Sequence, residues 1–224
     1  MHRKEFDIIS HRGYCAGDES IENTNESIRN SIALRAEFVE FDVHMTRDGI
    51  IILNHDSTTR CGHEIETTDY STIKESVDTL DSVLSANDGC ATQFIIELKT
   101  RDMSGRFIAT LDAIVQCYPM MDIMYSSFNH NVLYSSLTHI TFGALMYHIP
   151  TPAQLRAIRP RMIGIDYEMV TPDIVKMFHD NGHTIYCYTP NTLVSVERLI
   201  RAGVDGVYTD NYASVTAMYR EKYA

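Results

Sequence analysis

The chain has no tryptophan and only six prolines, and none of its hydrophobic runs approaches the length needed to span a bilayer. Its five cysteines (Cys15, Cys61, Cys90, Cys117 and Cys187) are odd in number and never fall in a CxxC spacing. That pattern argues against a zinc site and against a full disulfide framework. Positive charge is scarce, with 19 Lys and Arg against 30 Asp and Glu and a net charge of −11. A nucleic-acid binder needs a basic footprint, and so does a protein that adheres to anionic lipid, so both classes are disfavoured. An anionic small molecule stays compatible, because one bound divalent cation reverses the local sign. No secretory signal is visible, since "MHRKEFDIIS" moves straight from charge into a strand-like run. A reduced, cytoplasmic setting is expected. Low-complexity segments and Pro/Gly/Ser linkers are also lacking, so residues 1–224 read as a single domain.

Within that frame, short runs rich in β-branched and aromatic residues recur at 6–11, 37–42, 93–98, 122–127, 141–147, 162–166, 184–188 and 206–210. Amphipathic stretches such as "GRFIATLDAIVQCY", "TPAQLRAI", "TPDIVKMFHDNG" and "TLVSVERLIRAG" lie between them. The two Thr-Pro pairs fit a Thr N-cap with Pro in the first helical position, and glycine closes the later helices. Near-continuous hydrophobic strands alternating with helices predict a parallel sheet covered on its faces. Eight such units predict a closed (β/α)8 TIM barrel, with an open doubly wound sheet as the rival fold. No GxGxxG follows any strand.

The long gap between the second and third barrel strands holds "FVEFDVHMTRDGIIILNHD", residues 38–56. Too little chain separates its two hydrophobic arms for a parallel crossover, so they predict an antiparallel hairpin turning at Asp48-Gly49. Centred there, the turn sets Asp42 opposite His55. Period-two alternation puts Glu40, Asp42 and His44 on one face and Val39, Phe41 and Val43 on the other. At the C-terminal end of a barrel strand the polar face points into the mouth, where these folds do their chemistry. Charges inside a barrel strand are costly unless paired or metal-bound. Other strand ends add His11 and Arg12, then Glu97 and Lys99 two apart on one face. Glu40, Asp42 and Glu97 form an all-oxygen set suited to Mg²⁺ or Ca²⁺ and not to zinc. Arg12 and Lys99 suit a phosphate. Two histidines free of metal duty, His11 and His55, suit general acid and general base. A metal, two cationic side chains and a histidine pair together describe cleavage of a phosphate ester.

These residues resemble the glycerophosphodiester phosphodiesterase family. The marks run in order along nearly the whole chain: "HRG" (11–13), "ENT" (22–24), "EFDVHMTRDG" (40–49), "LNHD" (53–56), "IELK" (96–99), "SSF" (126–128) and "AGVDGVYTD" (202–210). The resemblance implies a TIM barrel with a small polar insertion at about 57–78, able to act at most as a small lid. It implies hydrolysis of a glycerophosphodiester to glycerol 3-phosphate and an alcohol. His11 and His55 would be the acid–base pair, Glu40, Asp42 and Glu97 the metal ligands, and Arg12 and Lys99 the phosphate contacts. Two departures stand out: Ile21 replaces the usual Pro before "ENT", and Tyr188 in "YTPN" stands where a late Trp is usual. The pocket wall for the alcohol therefore differs from the family pattern.

Two other outcomes fit the same residues. One is a sphingomyelinase D or lysophospholipase D-like enzyme that forms a cyclic phosphate; the other is a catalytically silent phosphodiester-binding protein. Asn23, with Glu26 three residues on, is expected to N-cap the following helix. Glu22 could lie near the metal, and His44 is expected as a hydrogen-bonded rim histidine. Tyr125, Tyr147, Tyr167, Tyr186 and Tyr188 are candidates either for the pocket lining or for the core.

Overall fold

The computed structural model describes residues 6–102, 104–136 and 140–223. The opening residues 1–5, on which the reading of the N-terminus began, lie outside that set. Nine strands occur in chain order: β1 (Asp7–Ser10), β2 (Phe38–Met45), β3 (Ile51–Leu53), β4 (Gln93–Leu98), β5 (Ile123–Ser127), β6 (Thr141–Met146), β7 (Met162–Asp166), β8 (Thr184–Tyr188) and β9 (Gly206–Thr209). All except β3 are parallel, and β1 pairs with both β2 and β9, which closes an eight-stranded barrel. The closed barrel is therefore the architecture, and the open sheet is not.

Strand alternation sorts the side chains. On β2, Val39, Phe41 and Val43 are fully buried against Ile28, Leu84 and Phe107 of the surrounding helices. Phe41 meets Phe94 of β4 edge to face, with centroids 5.6 Å apart. Each such side chain contributes about 1.5–3 kcal/mol by leaving water. The inward residues of the barrel's lower half are Ile9, Ile95, Met124 and Tyr208. Above them, β2 offers Glu40 and Asp42 to the mouth.

The outer helices follow local signals. Thr151 and Thr171 cap helices Pro152–Ala157 and Pro172–Asp180, each with Pro in its first turn. Thr192 caps Leu193–Ala202, which ends at Gly203 with φ +89°. A Thr cap of this kind is worth about 1 kcal/mol. Helix Asn25–Ala33 departs from expectation: its N-cap is Thr24, in a reciprocal capping box with Ser27, and not Asn23. Asn23 is buried with φ +56° and is used elsewhere.

The hairpin forms as an antiparallel pair, with Val43 opposite Leu53 and Met45 opposite Ile51. That register is one residue short of the expected one, so Asn54, not His55, stands across from Asp42, and its N–H reaches the Asp42 carbonyl at 3.1 Å. Gly49 turns the loop with φ +93°, while Thr46 Oγ1 accepts from Ile50 N at 2.9 Å. The insertion after the hairpin is polar in sequence but anchored by Ile65 and Ile73, both buried. Arg47 grips Asp69 with two hydrogen bonds of 2.8 and 2.6 Å, and Arg60 donates to the Ser20 carbonyl at 2.6 Å. The insertion is thereby tied to the hairpin tip on one side and to the loop after β1 on the other.

Candidate active site

A cavity of about 310 Å³ opens at the C-terminal mouth of the barrel, and His11, Arg12, Glu40, His55, Glu97 and Lys99 all line it. Its position follows from topology. β1 delivers "HRG", β2 delivers Glu40 and Asp42, and β4 pairs in a register that sets Glu97 beside Asp42. The hairpin returns His55 to the same rim. Gly13 is needed at the first turn: its φ is +75°, and a Cβ there would stand 2.3 Å from Ser27 Oγ.

Glu40, Asp42 and Glu97 are buried, and one oxygen from each lies within 4.8 Å of the others. Glu40 Oε2 accepts from Arg12 N at 3.1 Å, whereas its Oε1 has no hydrogen-bond partner. Asp42 is held on both sides by Asn23, whose Oδ1 accepts from Asp42 N at 2.8 Å and whose Nδ2 donates to Asp42 Oδ2 at 3.0 Å. Lys99 Nζ sits against the trio, 2.6 Å from Glu97 Oε1 and 3.2 Å from Asp42 Oδ1. Arg12 Nε is 3.6 Å from Asp42 Oδ2, and its Nη1 donates to Glu22 Oε2 at 3.1 Å. Glu22 thus backs the arginine.

Burial, then the charges of Asp42 and Glu97, push the Glu40 carboxyl well above the usual range. Burial and Asp42 push Glu97 up to about 7, although Lys99 opposes the rise. Asp42 goes the other way: burial raises it, but Lys99, His55, His11 and Arg12 together hold it below its ordinary value. Three buried carboxylates cannot all stay charged on the strength of two cationic side chains. An orphaned buried oxygen in an all-oxygen cluster therefore fits a hard divalent cation.

The two histidines are built alike. His11 Nδ1 bonds Asp210 Oδ1 at 2.6 Å, which leaves its Nε2 facing the site, 3.9 Å from Glu40 Oε2. His55 Nδ1 bonds Asp56 Oδ1 at 2.8 Å. A carboxylate on Nδ1 keeps the proton on that nitrogen and leaves Nε2 with the lone pair. Burial, opposed by Asp42, lowers the His55 pKa. His44 donates through Nε2 to the His55 carbonyl at 3.1 Å, as a hydrogen-bonded rim histidine should.

Asp210 and the clamp role of Asn23 were not assigned from sequence. Both residues sit inside recognisable stretches, "TD" and "ENT", but their partners are remote in the chain. Among the tyrosines, Tyr147 and Tyr188 line the cavity. Tyr125 and Tyr186 are turned away, onto Asp112 and Asp7 respectively. Tyr167 packs against the core.

The arrangement has close parallels among known proteins. A glycerophosphodiester phosphodiesterase of Caldanaerobacter subterraneus subsp. tengcongensis is 23% identical over 244 residues, which cover 96% of this chain and 98% of that relative. The crystal structure of a glycerophosphodiester phosphodiesterase from Parabacteroides distasonis superposes with a TM-score of 0.89 at 22% identity, covering 99% of this chain and all of that one. An Oleispira antarctica phosphodiesterase, solved with the product sn-glycerol-3-phosphate, gives 0.87 at 21% identity, with 96% of each chain covered. The family model of glycerophosphoryl diester phosphodiesterases matches residues 11–214, from the first histidine of the mouth to beyond the Asp210 that holds it. With the barrel and the clustered acids in agreement, this chain belongs to the glycerophosphoryl diester phosphodiesterase family.

Proposed function

We propose that the chain hydrolyses glycerophosphodiesters to glycerol 3-phosphate and an alcohol, using His11 and His55 as the acid–base pair. Membership of the family supports the reaction class, and the Oleispira antarctica protein was solved with that product. Arg12 and Lys99 line the cavity and would bind the phosphate, the first as a planar fork and the second as a point charge. One imidazole enters neutral and takes the proton of the attacking hydroxyl or water at Nε2, while the other enters as imidazolium and gives its Nε2 proton to the leaving alkoxide. Asp210 and Asp56 hold the two rings and stabilise whichever becomes cationic.

Glu40, Asp42 and Glu97 would hold one divalent cation, Mg²⁺ or Ca²⁺. When bound, the cation would polarise a phosphoryl oxygen and neutralise charge that develops there. The same residues explain why it is needed. Ionised together, the three inner carboxylates against one ammonium and one guanidinium would make the site one charge negative, a state that burial opposes and that would repel a phosphodiester monoanion. A divalent ion makes the site one charge positive.

The observation that carries this reading is convergence: two carboxylate-backed histidines and a buried carboxylate trio share one cavity. The test is a panel of glycerophosphodiesters incubated with and without EDTA, read by release of glycerol 3-phosphate and by phosphorus NMR. Release that stops with EDTA and returns with Mg²⁺ or Ca²⁺ is expected. A cyclic phosphate as the final product would replace this reaction, and binding without turnover would reduce the chain to a receptor.

A further inference from the structure

The loop from β1 to helix Asn25–Ala33 carries Arg12, Glu22 and Asn23, yet its middle, residues 16–20, is exposed. Three of its non-glycine residues take left-handed backbone: Arg12 at φ +54°, Ala16 at +53° and Asn23 at +56°. Such conformations cost free energy and persist only where the surroundings over-determine them. The loop is also acidic, with Asp18, Glu19 and Glu22 and no Lys or Arg between Arg12 and Arg29. A cation reaches it from the insertion. Arg60 donates through Nη1 to the Ser20 carbonyl at 2.6 Å and through Nη2 to the Glu19 carbonyl. Its Nη2 also lies 3.8 Å from Glu22 Oε1. The other oxygen of Glu22 accepts from Arg12 Nη1 at 3.1 Å, so one carboxylate stands between two guanidinium groups. Arg60 itself is outside the lining of the cavity at the mouth.

We infer that Arg60 is a positioning residue for phosphate binding, acting through Glu22 on Arg12, an inference that rests on the function proposed above. The insertion is then a strut for the phosphate site as well as a cover. Arg12 is a long side chain that must present a planar fork, and a fork binds well only when its stem is fixed. Glu22 supplies that fixing point, and Arg60 holds the loop segment that carries Glu22. Charge works in the same direction. Paired with Arg12 alone, Glu22 would offset the charge that attracts a phosphodiester; shared with Arg60, it leaves Arg12 more of that attraction. The strut is itself anchored. Thr59 is 4% exposed and its N–H donates to the His63 carbonyl at 2.9 Å, while Asn54 Nδ2 donates to the Asp56 and Thr58 carbonyls at 2.7 and 3.1 Å. The turn that returns His55 to the mouth therefore also delivers Arg60. Buried Ile65 and Ile73 and the Arg47–Asp69 pair keep the insertion docked without Arg60, so its removal tests position and not the fold.

The test uses the full chain with Mg²⁺ and whichever glycerophosphodiester of the panel is cleaved fastest. Arg60→Ala is expected to raise KM by about tenfold while kcat changes less than about threefold, the mark of a loosened binding contact. Arg60→Lys keeps the charge but lacks a fork that spans two carbonyls, so it recovers only part of the loss. In a Glu22→Gln background, Arg60→Ala adds less than about twofold, because the residue through which it acts is already gone. Mg²⁺ affinity by calorimetry stays within about twofold of the parent, since Asn23 holds Asp42 by its own two hydrogen bonds. A loop that had merely lost order would weaken metal and substrate together. Circular dichroism and thermal melting confirm that the variants are folded. A parent-like KM in Arg60→Ala, full additivity with Glu22→Gln, or Mg²⁺ affinity falling in step with KM overturns the strut and leaves the hydrolase reading standing. If the parent cleaves no diester of the panel, both proposals fall.

Discussion

Two arcs of one rim share the cavity at the barrel mouth, and they are made of different material. The arc running from β9 through β1 and β2 to β4 supplies every charged residue in the lining: Arg12, Glu40, Glu97 and Lys99, with both histidines. The arc from β5 through β6 to β8 supplies Ser126, Phe128, Leu145, Tyr147 and Tyr188. In the charged arc each side chain is held by several polar partners, as Asn23 holds Asp42 through two hydrogen bonds. In the aromatic arc the contacts are stacking, such as Phe128 on Tyr147, plus the Tyr188 hydroxyl donating to the Met146 carbonyl at 2.7 Å. Chemistry needs atoms fixed to a fraction of an ångström, whereas fit needs only a surface of the right shape and polarity. The difference predicts that changes on the first arc alter kcat or metal affinity, and changes on the second alter KM.

The largest effect should come from the imidazoles. His11→Ala and His55→Ala are each expected to lower kcat by about 10²–10⁴-fold while circular dichroism stays that of the parent. Near-normal turnover in either would remove that histidine from the chemistry.

Metal affinity comes next. Asn23→Ala frees the Asp42 carboxylate to rotate, and calorimetric titration with Mg²⁺ should show affinity reduced by roughly 10–100-fold. Glu40→Gln removes one of the proposed anionic ligands and should exceed that loss. An Asn23→Ala chain that binds Mg²⁺ like the parent would mean the clamp is merely structural.

The smallest effect is reserved for the other arc. Tyr147→Ala exposes Phe128 and should raise KM several-fold, consistent with the roughly 0.5–1.5 kcal/mol of an aromatic pair, with kcat nearly unchanged. A large fall in kcat there would erase the distinction between the arcs.

Much of this was legible before any coordinates. Strands β4, β7 and β8 begin and end where the hydrophobic runs do, because a strand buried on both faces has few polar residues. The hairpin was legible too, but its register was not. Thr46 and Asp48 use their side chains inside the loop, Asp48 accepting from Thr46 Oγ1 at 2.6 Å, and the ladder shifts by one residue. Asn23 departs from its local pattern for a related reason. Local spacing offered it as a helix cap, but Thr24 caps the helix and Asp42, remote in sequence, claims the Asn23 side chain. Asp210 carries no local signal, because its partner His11 lies at the opposite end of the chain.

By itself, the order of residues determined the alternating strands and helices and the types of group at the strand ends. Periodicity and side-chain chemistry are local properties, and they survive in a linear string. Which carboxylate steadies which imidazole was decided only when β1 paired with β9, with Ser10 beside Thr209. Closure of a barrel joins the two ends of a chain, and no local pattern encodes a contact that exists only after the ring is complete.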